Sequence, residues 1–467
     1  MSVNAPERLI ETYFPTDEEY DRHLGKRTRR GFLVRSLFLL ALIIAVVALV
    51  TLLYTIINDS FGLVAIVNQQ EPEDIVASLG HDSEETGLGD LSHDELVSIL
   101  QGGVSTNVGR RLERDQRFYE DRLVFESEAV FAEICSSAEP PAGCDAAPRD
   151  QASVLQLVQE RIVQPDIIDV EELVPSLTSP EEFQQRVEQI FINSPERFGE
   201  YTFDQVQFEW RAWLNPTFVR TPASGTPETA GIRTAVLGSF WIVVITVLFA
   251  VPVGVGAAVY LEEFARPSRL NDFVQTNINN LAGVPSIVYG MLGLAILVRA
   301  LEPLTSGRVF GVENANGRTL ISAGITLALL TLPVVIIASQ EALKAVPNSL
   351  RQAGMGLGAT KWQTVRSQVL PVAVPGILTG VILAVARAIG ETAPLILVGA
   401  ASFFTADPTG PFSRYTALPI QIFQWTSLPQ VEWKHLAAAA SLFLLIMLLI
   451  LNAGAVILRN RYSRRPS

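Results

Sequence analysis

Residues 436–458 read LAAAASLFLLIMLLILNAGAVIL, without one charged side chain. A helix of about 20 apolar residues reaches across a hydrocarbon core of roughly 30 Å. Five more runs of this kind lie at 36–57, 234–261, 279–300, 320–338 and 374 to about 401. Six helices that are apolar on every face cannot all be buried inside one globule of 467 residues, since helices of soluble proteins keep a polar face. The sequence therefore predicts an all-α integral membrane protein with six transmembrane helices.

Charge is divided unevenly along this chain. The whole sequence has a net charge of −13, but residues 58–232 alone contain 33 acidic and only 11 basic residues, so the remainder is net basic. Short basic segments beside a span stay in the cytoplasm. The acidic segment between the first two spans is therefore expected to be exported.

The basic residues also predict the orientation. The N-terminal arm, residues 1–35, contains Lys26, Arg27, Arg29 and Arg30 just before the first span. Segment 341–371 and the tail 459–467 are basic too and fall on the same side. Both termini are therefore expected in the cytoplasm. The first span, 36–57, is interpreted as an uncleaved anchor because it begins about 35 residues into the chain.

The exported segment, residues 58–231, is expected to form a mostly helical cap. Apolar residues recur at helical spacing in 154–162 and 183–190, and Ser179-Pro180 is typical of a helix start. A docking platform for an external partner and an insertion that only stiffens the protein are equal alternatives for its role. Cys135 and Cys144 lie in this segment, where export permits a disulfide; two free or buried thiols are the alternative.

Between the fourth and fifth spans lies the stretch 341–371, EALKAVPNSLRQAGMGLGATKWQTVRSQVLP. Ser349 and Gln352 have the spacing of a capping box, which predicts a helix start. Gly356 and Gly358 interrupt that helix before a second one through Trp362. Such a projecting helix–turn–helix on the inner side suits docking into a cleft of a soluble motor.

This stretch resembles the coupling loop of ABC-importer permeases, whose pattern is EAA, three residues, G, nine residues, I, one residue, LP. The matching positions are Gln352, Ala353, Gly354, Gly358, Leu370 and Pro371. Three residues differ from this pattern: Gln352 replaces the acid, Gly354 replaces an alanine and Gln368 replaces the isoleucine.

Three further phrases are similar to the PstA-type permeases of phosphate-specific ABC importers, within the MetI-like superfamily. They are YLEEFA at 260–265, NNLAGVPSIVYG at 279–290 and ARAIGETAPL at 386–395. The resemblance covers residues 232–458 and implies a five-helix MetI-like permease domain behind the anchor. It says little about the arm or the cap.

Two ionisable residues lie inside the predicted fifth span. Arg387 and Glu391 are four residues apart, so on one helix they share a face and can pair. Charged groups at bilayer depth cost at least about 2.5–3.5 kcal/mol each and usually serve a task. A guanidinium matches the geometry of phosphate. One hypothesis is a switch, in which Glu391 neutralises Arg387 at rest and phosphate replaces it; a permanent structural ion pair is the alternative.

Prolines and glycines around this pair predict helices that bend. Gly390 and Pro394 weaken the fifth span, as Pro285 does the third. Pro285 and Ser286 are candidates for lining the translocation pathway, although proline kinks that serve packing alone are common.

Several function classes are not favoured by the sequence. There is no GxxxxGK[ST] motif, so ATP must be hydrolysed by a partner. The four histidines have no metal-ligand spacing, and no catalytic constellation is present. We therefore expect a transporter subunit rather than an enzyme, without cofactor, metal or nucleic-acid partner.

The resemblance implies the remaining partners. This chain would lie in the lipid bilayer of the inner membrane of a prokaryote. It would assemble there with a second homologous permease, two copies of a cytoplasmic P-loop ATPase and an extracytoplasmic phosphate-binding protein. The assembly would move inorganic phosphate inward. A permease for molybdate or sulfate is one alternative. A membrane sensor that binds a ligand through its cap is another, although a sensor should carry a long cytoplasmic output domain.

Overall fold

The computed structural model describes residues 17–68, 70–82, 86–103, 151–193, 203–312, 316–399 and 407–463. Cys135 and Cys144, and with them the predicted disulfide, lie outside these residues. The chain divides into two compact units, Met1–Asn58 and Asp59–Ser467. The first contains most of helix α1 (Asp17–Ser60), in which Val34–Ser60 is apolar and long enough to cross a membrane.

The cap contains a sheet that the sequence did not predict. Strand β1 (Phe61–Asn68) is central and pairs antiparallel with both β2 (Pro165–Glu172) and β3 (Gln207–Ala212). A Cβ at Gly62 would lie 1.9 Å from the Glu171 carbonyl oxygen, so the close pairing with β2 requires glycine there.

Short helices surround this sheet. The predicted start at Ser179-Pro180 is observed, since a 14-residue helix begins at Pro180. The described helices of the cap are α2 (Pro72–Ser78), α3 (His93–Gly103), α4 (Gln151–Val158, continued by a π turn Gln159–Val163), α5 (Leu173–Thr178), α6 (Pro180–Asn193) and α7 (Pro216–Arg220).

Strand β1 is buried on both faces, which ties the cap to the last long helix. Its side chains Leu63, Ala65 and Val67 pack against α6, while Val64 and Ile66 join a core that extends to the start of that helix. That second core includes Trp213, Phe218, Trp433 and Leu436. The cap and the start of the last long helix therefore share one hydrophobic core.

Five described helices are long and apolar enough to cross a membrane, or six if one bent pair counts as a single span. The elements of this part are α8 (Arg233–Val259, continued by a π turn Tyr260–Phe264), α9 (Arg269–Ala282), α10 (Ser286–Gly293, continued by a π turn Leu294–Ala300), α11 (Glu302–Thr305), α12 (Leu320–Lys344), α13 (Asn348–Gly356), α14 (Lys361–Thr364, continued by a π turn Val365–Val369), α15 (Leu370–Gly390), α16 (Ala393–Val398), α17 (Leu418–Thr426) and α18 (Val431–Ser463).

The predicted third span is not one straight helix. Helices α9 and α10 meet at an angle of 104° across Gly283, Val284 and Pro285. Proline cannot donate the hydrogen bond that would continue α9, and it disfavours helical geometry in the residue before it. The bend predicted at Pro285 is therefore present, and the span 279–300 consists of the last turn of α9, a sharp break and α10.

Helix α12 packs against both α8 and α15, and small residues let these neighbours approach it closely. A Cβ at Gly254 of α8 would lie 2.7 Å from Val335, and one at Gly380 of α15 would lie 2.2 Å from the Ala338 side chain. Helix–helix contacts in membranes commonly rely on such residues, because packing rather than hydrophobicity holds them together.

Residues 407–413, which precede α17, contact the N-terminal ends of two long helices. The backbone N–H groups of Leu320 and Ile321 donate to the carbonyl oxygens of Ser413 (3.1 Å) and Pro411 (2.9 Å), which satisfies donors at the start of α12. Arg233 at the start of α8 pairs with Asp407 at 2.9 Å. These contacts fix the N-terminal ends of α8 and α12.

Candidate translocation site and coupling loop

The fifth span is interrupted where its two ionisable residues lie. Helix α15 ends at Gly390, Glu391 adopts an extended conformation, and the short helix α16 begins at Ala393. The expectation of one helix from 374 to about 401 is therefore wrong beyond Gly390. Pro394 provides the reason, because it has no N–H to donate back to the preceding turn.

Arg387 and Glu391 are brought together across this break. Arg387 Nε lies 3.2 Å from Glu391 Oε1, and the two side chains are 44% and 18% exposed. Arg387 is in the last turn of α15, whereas Glu391 is the first residue beyond it. Glu391 therefore lies outside the helix. The spacing of four residues had suggested instead that both residues share one face of a continuous helix.

Pro285 and Ser286 lie at the start of the neighbouring half-helix. Pro285 precedes α10, and Ser286 is its first residue. A Cβ at Gly290 would lie 2.6 Å from Pro394 Cα, and one at Gly293 would lie 3.0 Å from Val398, so α10 and α16 run side by side in the same direction. Ser286 lies one turn before Gly290 in α10.

Tyr289 stabilises the bend in the third span and was not singled out from the sequence. Its side chain is buried, and its hydroxyl donates to the carbonyl oxygen of Leu281 at 2.9 Å, which joins α10 to the last turn of α9. A lone tyrosine one turn after a proline break, inside an apolar helix, is the signal that could have identified it, since a buried hydroxyl needs a partner.

The predicted coupling loop contains one separate helix, α13, which carries Gln352, Ala353 and Gly354. Gly358 follows with φ +85°, a left-handed conformation that favours glycine. The predicted second helix is present, but it is not separate: it runs from Lys361 as a continuous 30-residue apolar helix to Gly390.

One detail of this loop differs from expectation, and another explains why Gly354 replaces the alanine of the family pattern. The capping box predicted at Ser349 and Gln352 is wrong, because Pro347 occupies the cap position of α13 without a side-chain bond; the box forms instead between Thr360 and Gln363. A Cβ at Gly354 would lie 2.8 Å from Thr364, so glycine in place of the pattern's alanine lets α13 lie against α14. Leu370 and Pro371 begin α15.

Comparisons with known proteins agree with this architecture. Residues 250–467 match the family model described as "Binding-protein-dependent transport system inner membrane component". The chain is 35% identical over 235 residues to the phosphate transport system permease protein PstA of Yersinia pestis, covering 50% of this chain and 74% of that one. The chain belongs to the PstA family of ABC transporter permeases.

Two other proteins are also similar to this chain. The probable ABC transporter permease YqgI of Bacillus subtilis is 35% identical over 203 residues, which is 44% of this PstA-family chain and 62% of the relative. A chain from the inward-facing MetNI methionine ABC transporter shows 18% identity, covers 50% of this chain and 95% of its own, and has a TM-score of 0.36. The family match begins at residue 250 and leaves out the anchor and the cap.

The PstA-family phrase YLEEFA contains a functional candidate that sequence reasoning passed over. Glu263 of this phrase forms a buried ion pair with Arg351 of α13. The two residues are 88 positions apart, so no local spacing connects them. The available signal was a pair of acids, Glu262 and Glu263, at the end of an apolar run. The sequence predicts that this run ends on the same side of the membrane as the basic segment 341–371.

Proposed function

We propose that this chain is the permease subunit of an ABC importer that moves inorganic phosphate into the cytoplasm. The observation that carries the proposal is the Arg387–Glu391 pair at a helix break beside a second broken helix. The similarity to proteins named PstA supports phosphate as the ion.

The proposed mechanism begins with an exchange of partners at Arg387. Glu391 neutralises the guanidinium through a single contact at Nε, on a backbone segment that can rotate without disturbing a helix. Phosphate offers the guanidinium several anionic oxygens in a geometry that favours forked hydrogen bonds. When the bundle opens, the ion replaces Glu391, and when it closes the carboxylate returns and releases the ion.

The positive end of a half-helix supports this placement. Helix α10 begins at Ser286 and packs against α16, which follows Glu391, and its first N–H groups have no acceptor within the helix. Broken helices in transporters commonly present such ends to anionic groups at mid-membrane depth. Pro285 and Ser286 are therefore proposed to line the path on the side opposite Arg387.

Energy is proposed to come from a separate ATPase. The turn after α13 presents Leu357 with 91% of its side chain exposed, next to half-exposed Met355 and Trp362, and apolar groups at such a tip favour burial in a partner's cleft. Two copies of a cytoplasmic P-loop ATPase, a second homologous permease and an extracytoplasmic phosphate-binding protein complete the proposed assembly. In this arrangement both termini lie in the cytoplasm, and the chain itself has no catalytic site.

Uptake by the reconstituted complex tests the substrate. The chain, its second permease and the ATPase are placed in proteoliposomes with the binding protein, and import of labelled phosphate is measured with and without ATP. We expect ATP-dependent uptake that excess unlabelled phosphate abolishes and that sulfate or molybdate leaves unchanged. Import of sulfate or molybdate in preference to phosphate would overturn the proposal.

A further inference from the structure

We propose that the Glu263–Arg351 pair is the link through which movement of helix α13 reaches the membrane-spanning helices. The inference rests on the proposed function, because it assigns the pair a place in coupling ATP hydrolysis to phosphate import. Glu263 and Arg351 act as positioning residues: neither lies at the translocation site, and their effect is exerted through the helices that they join.

The pair is held by several short contacts. Arg351 Nη2 donates to Glu263 Oε1 at 2.7 Å, and Nε lies 3.0 Å from Oε1 and 3.3 Å from Oε2. Glu263 is 6% exposed and Arg351 19% exposed. A charge so fully removed from water is costly without its partner, so the two side chains are expected to stay together as the protein moves.

Arg351 also binds the inner end of helix α12. Its Nη2 and Nη1 groups donate to the carbonyl oxygens of Leu343 (2.8 Å) and Val346 (2.7 Å), and Nη1 reaches Asn348 Oδ1 at 3.2 Å. The Leu343 carbonyl lies in the last turn of α12, where it also accepts from the Val346 N–H at 3.2 Å, and the Val346 carbonyl lies two residues beyond the helix. One guanidinium therefore joins three elements: α13, the end of α12 and the π turn after α8.

Neighbouring residues of the same π turn attach to other parts of the loop. Glu262 lies 3.5 Å from Lys344 Nζ, and the ring of Phe264 is 6.5 Å from that of Trp362 and 5.4 Å below Lys361 Nζ. Three successive residues, 262 to 264, thus contact the segment before α13, α13 itself and the segment after it. Of these contacts only the Glu263–Arg351 pair is deeply buried.

This arrangement makes α13 and the inner ends of α8 and α12 move as one body. Helices α8 and α12 pack closely along their length, and α12 contacts α15, which carries Arg387. A displacement of α13 by a docked motor is therefore passed to the helix pair at the centre of the permease. Without the link, α13 could follow the motor while the spans stay in place.

The experiment measures phosphate imported per ATP hydrolysed by the reconstituted complex. In Glu263→Gln and Arg351→Lys we expect an assembled complex whose basal ATP hydrolysis stays within about two-fold of wild type, while the transport ratio falls at least about ten-fold. Lysine keeps the charge of Arg351, but it lacks the fork that holds Glu263 and two carbonyls together. Glu262→Gln, which removes the less buried neighbouring pair with Lys344, is the matched control and should keep the wild-type ratio.

A purely structural role gives a different result. Loss of folded protein lowers hydrolysis and import together and leaves their ratio unchanged, which would overturn the inference. If Glu263→Gln does not assemble, Glu263→Asp and Arg351→Lys are compared with Glu262→Gln by the same ratio of phosphate imported to ATP hydrolysed. A wild-type complex that imports no phosphate refutes the proposed function, whereas a wild-type complex that imports it alongside fully coupled variants refutes only the role of this pair.

Discussion

Two arginine–glutamate pairs of this permease, Arg387–Glu391 and Arg351–Glu263, differ in almost every physical respect. Arg387–Glu391 spans four residues, has one contact at 3.2 Å and leaves the arginine 44% exposed. Arg351–Glu263 spans 88 residues, has three contacts between 2.7 and 3.3 Å and buries its acid almost completely. The first arrangement suits a pair that must open, and the second suits a pair that must hold.

The energetics of solvent exposure explain this difference. A half-exposed arginine that loses its partner is partly compensated by water, so an incoming anion can compete for it. In a buried pair water cannot replace the lost partner. Separating the pair therefore leaves an uncompensated charge in an environment of low dielectric constant. A transporter that converts one movement into another needs both kinds: an exchangeable contact at the substrate and a fixed one in the transmission.

The largest expected effect is on transport, when the exchangeable pair loses its arginine. In Arg387→Gln the anion loses its charged partner, and we expect phosphate uptake to fall roughly 1,000-fold, equivalent to about 4 kcal/mol. Arg387→Lys, which keeps the charge without the fork, should retain part of the activity. Uptake in proteoliposomes is the measurement. Normal transport by an assembled Arg387→Gln complex would rule out the exchange.

Breaking the fixed pair should produce the largest change in stability. Removing the charge of Glu263 by Glu263→Gln is expected to lower the free energy of unfolding by about 3 kcal/mol. In contrast, Glu262→Gln breaks a pair whose lysine is half exposed and should cost less than about 1 kcal/mol. Thermal unfolding of the two variants in the same detergent provides the comparison. Equal shifts would show that burial does not separate these two contacts.

A smaller effect is expected when the exchangeable pair loses its acid. In Glu391→Gln the guanidinium remains available, so phosphate should bind more tightly but leave more slowly, and turnover should fall about ten-fold. Stability should change little, because Arg387 is half exposed. The apparent affinity and the maximal rate of uptake, measured separately, distinguish this outcome from simple loss of a structural pair, which would lower the rate without tightening binding.

The same contrast explains what could be predicted from sequence. The apolar runs identified the spans because length and hydrophobicity alone decide whether a helix can cross a bilayer. Arg387 and Glu391 were found because an i, i+4 spacing is local. Arg351 and Glu263 were missed because their contact depends on how two distant segments fold together, and no periodicity in either segment records it.

Two features of the fold were missed for related reasons. Strand β1, FGLVAIVN, is buried on both faces, so it reads as a short apolar run without the alternation that identifies an exposed strand. Pro285 indicated a weakened helix, but the 104° bend also depends on the close packing of Gly290 against Pro394. A proline marks where a helix can break, and the angle is set by tertiary contacts.

The smallest expected effects concern the turn that follows α13, where two glycines two residues apart should respond in opposite directions. Nothing lies within 4 Å of a Cβ built at Gly356 or at Gly358, so neither substitution creates a clash. Gly358 has φ +85°, and alanine there should destabilise the turn by about 1 kcal/mol. Gly356 is the last residue of α13, and alanine should stabilise that helix by somewhat less than about 1 kcal/mol.

If Gly358→Ala also lowers import per ATP while Gly356→Ala does not, the shape of the turn matters for coupling. Equal melting temperatures for the two variants would show that the left-handed conformation imposes no constraint.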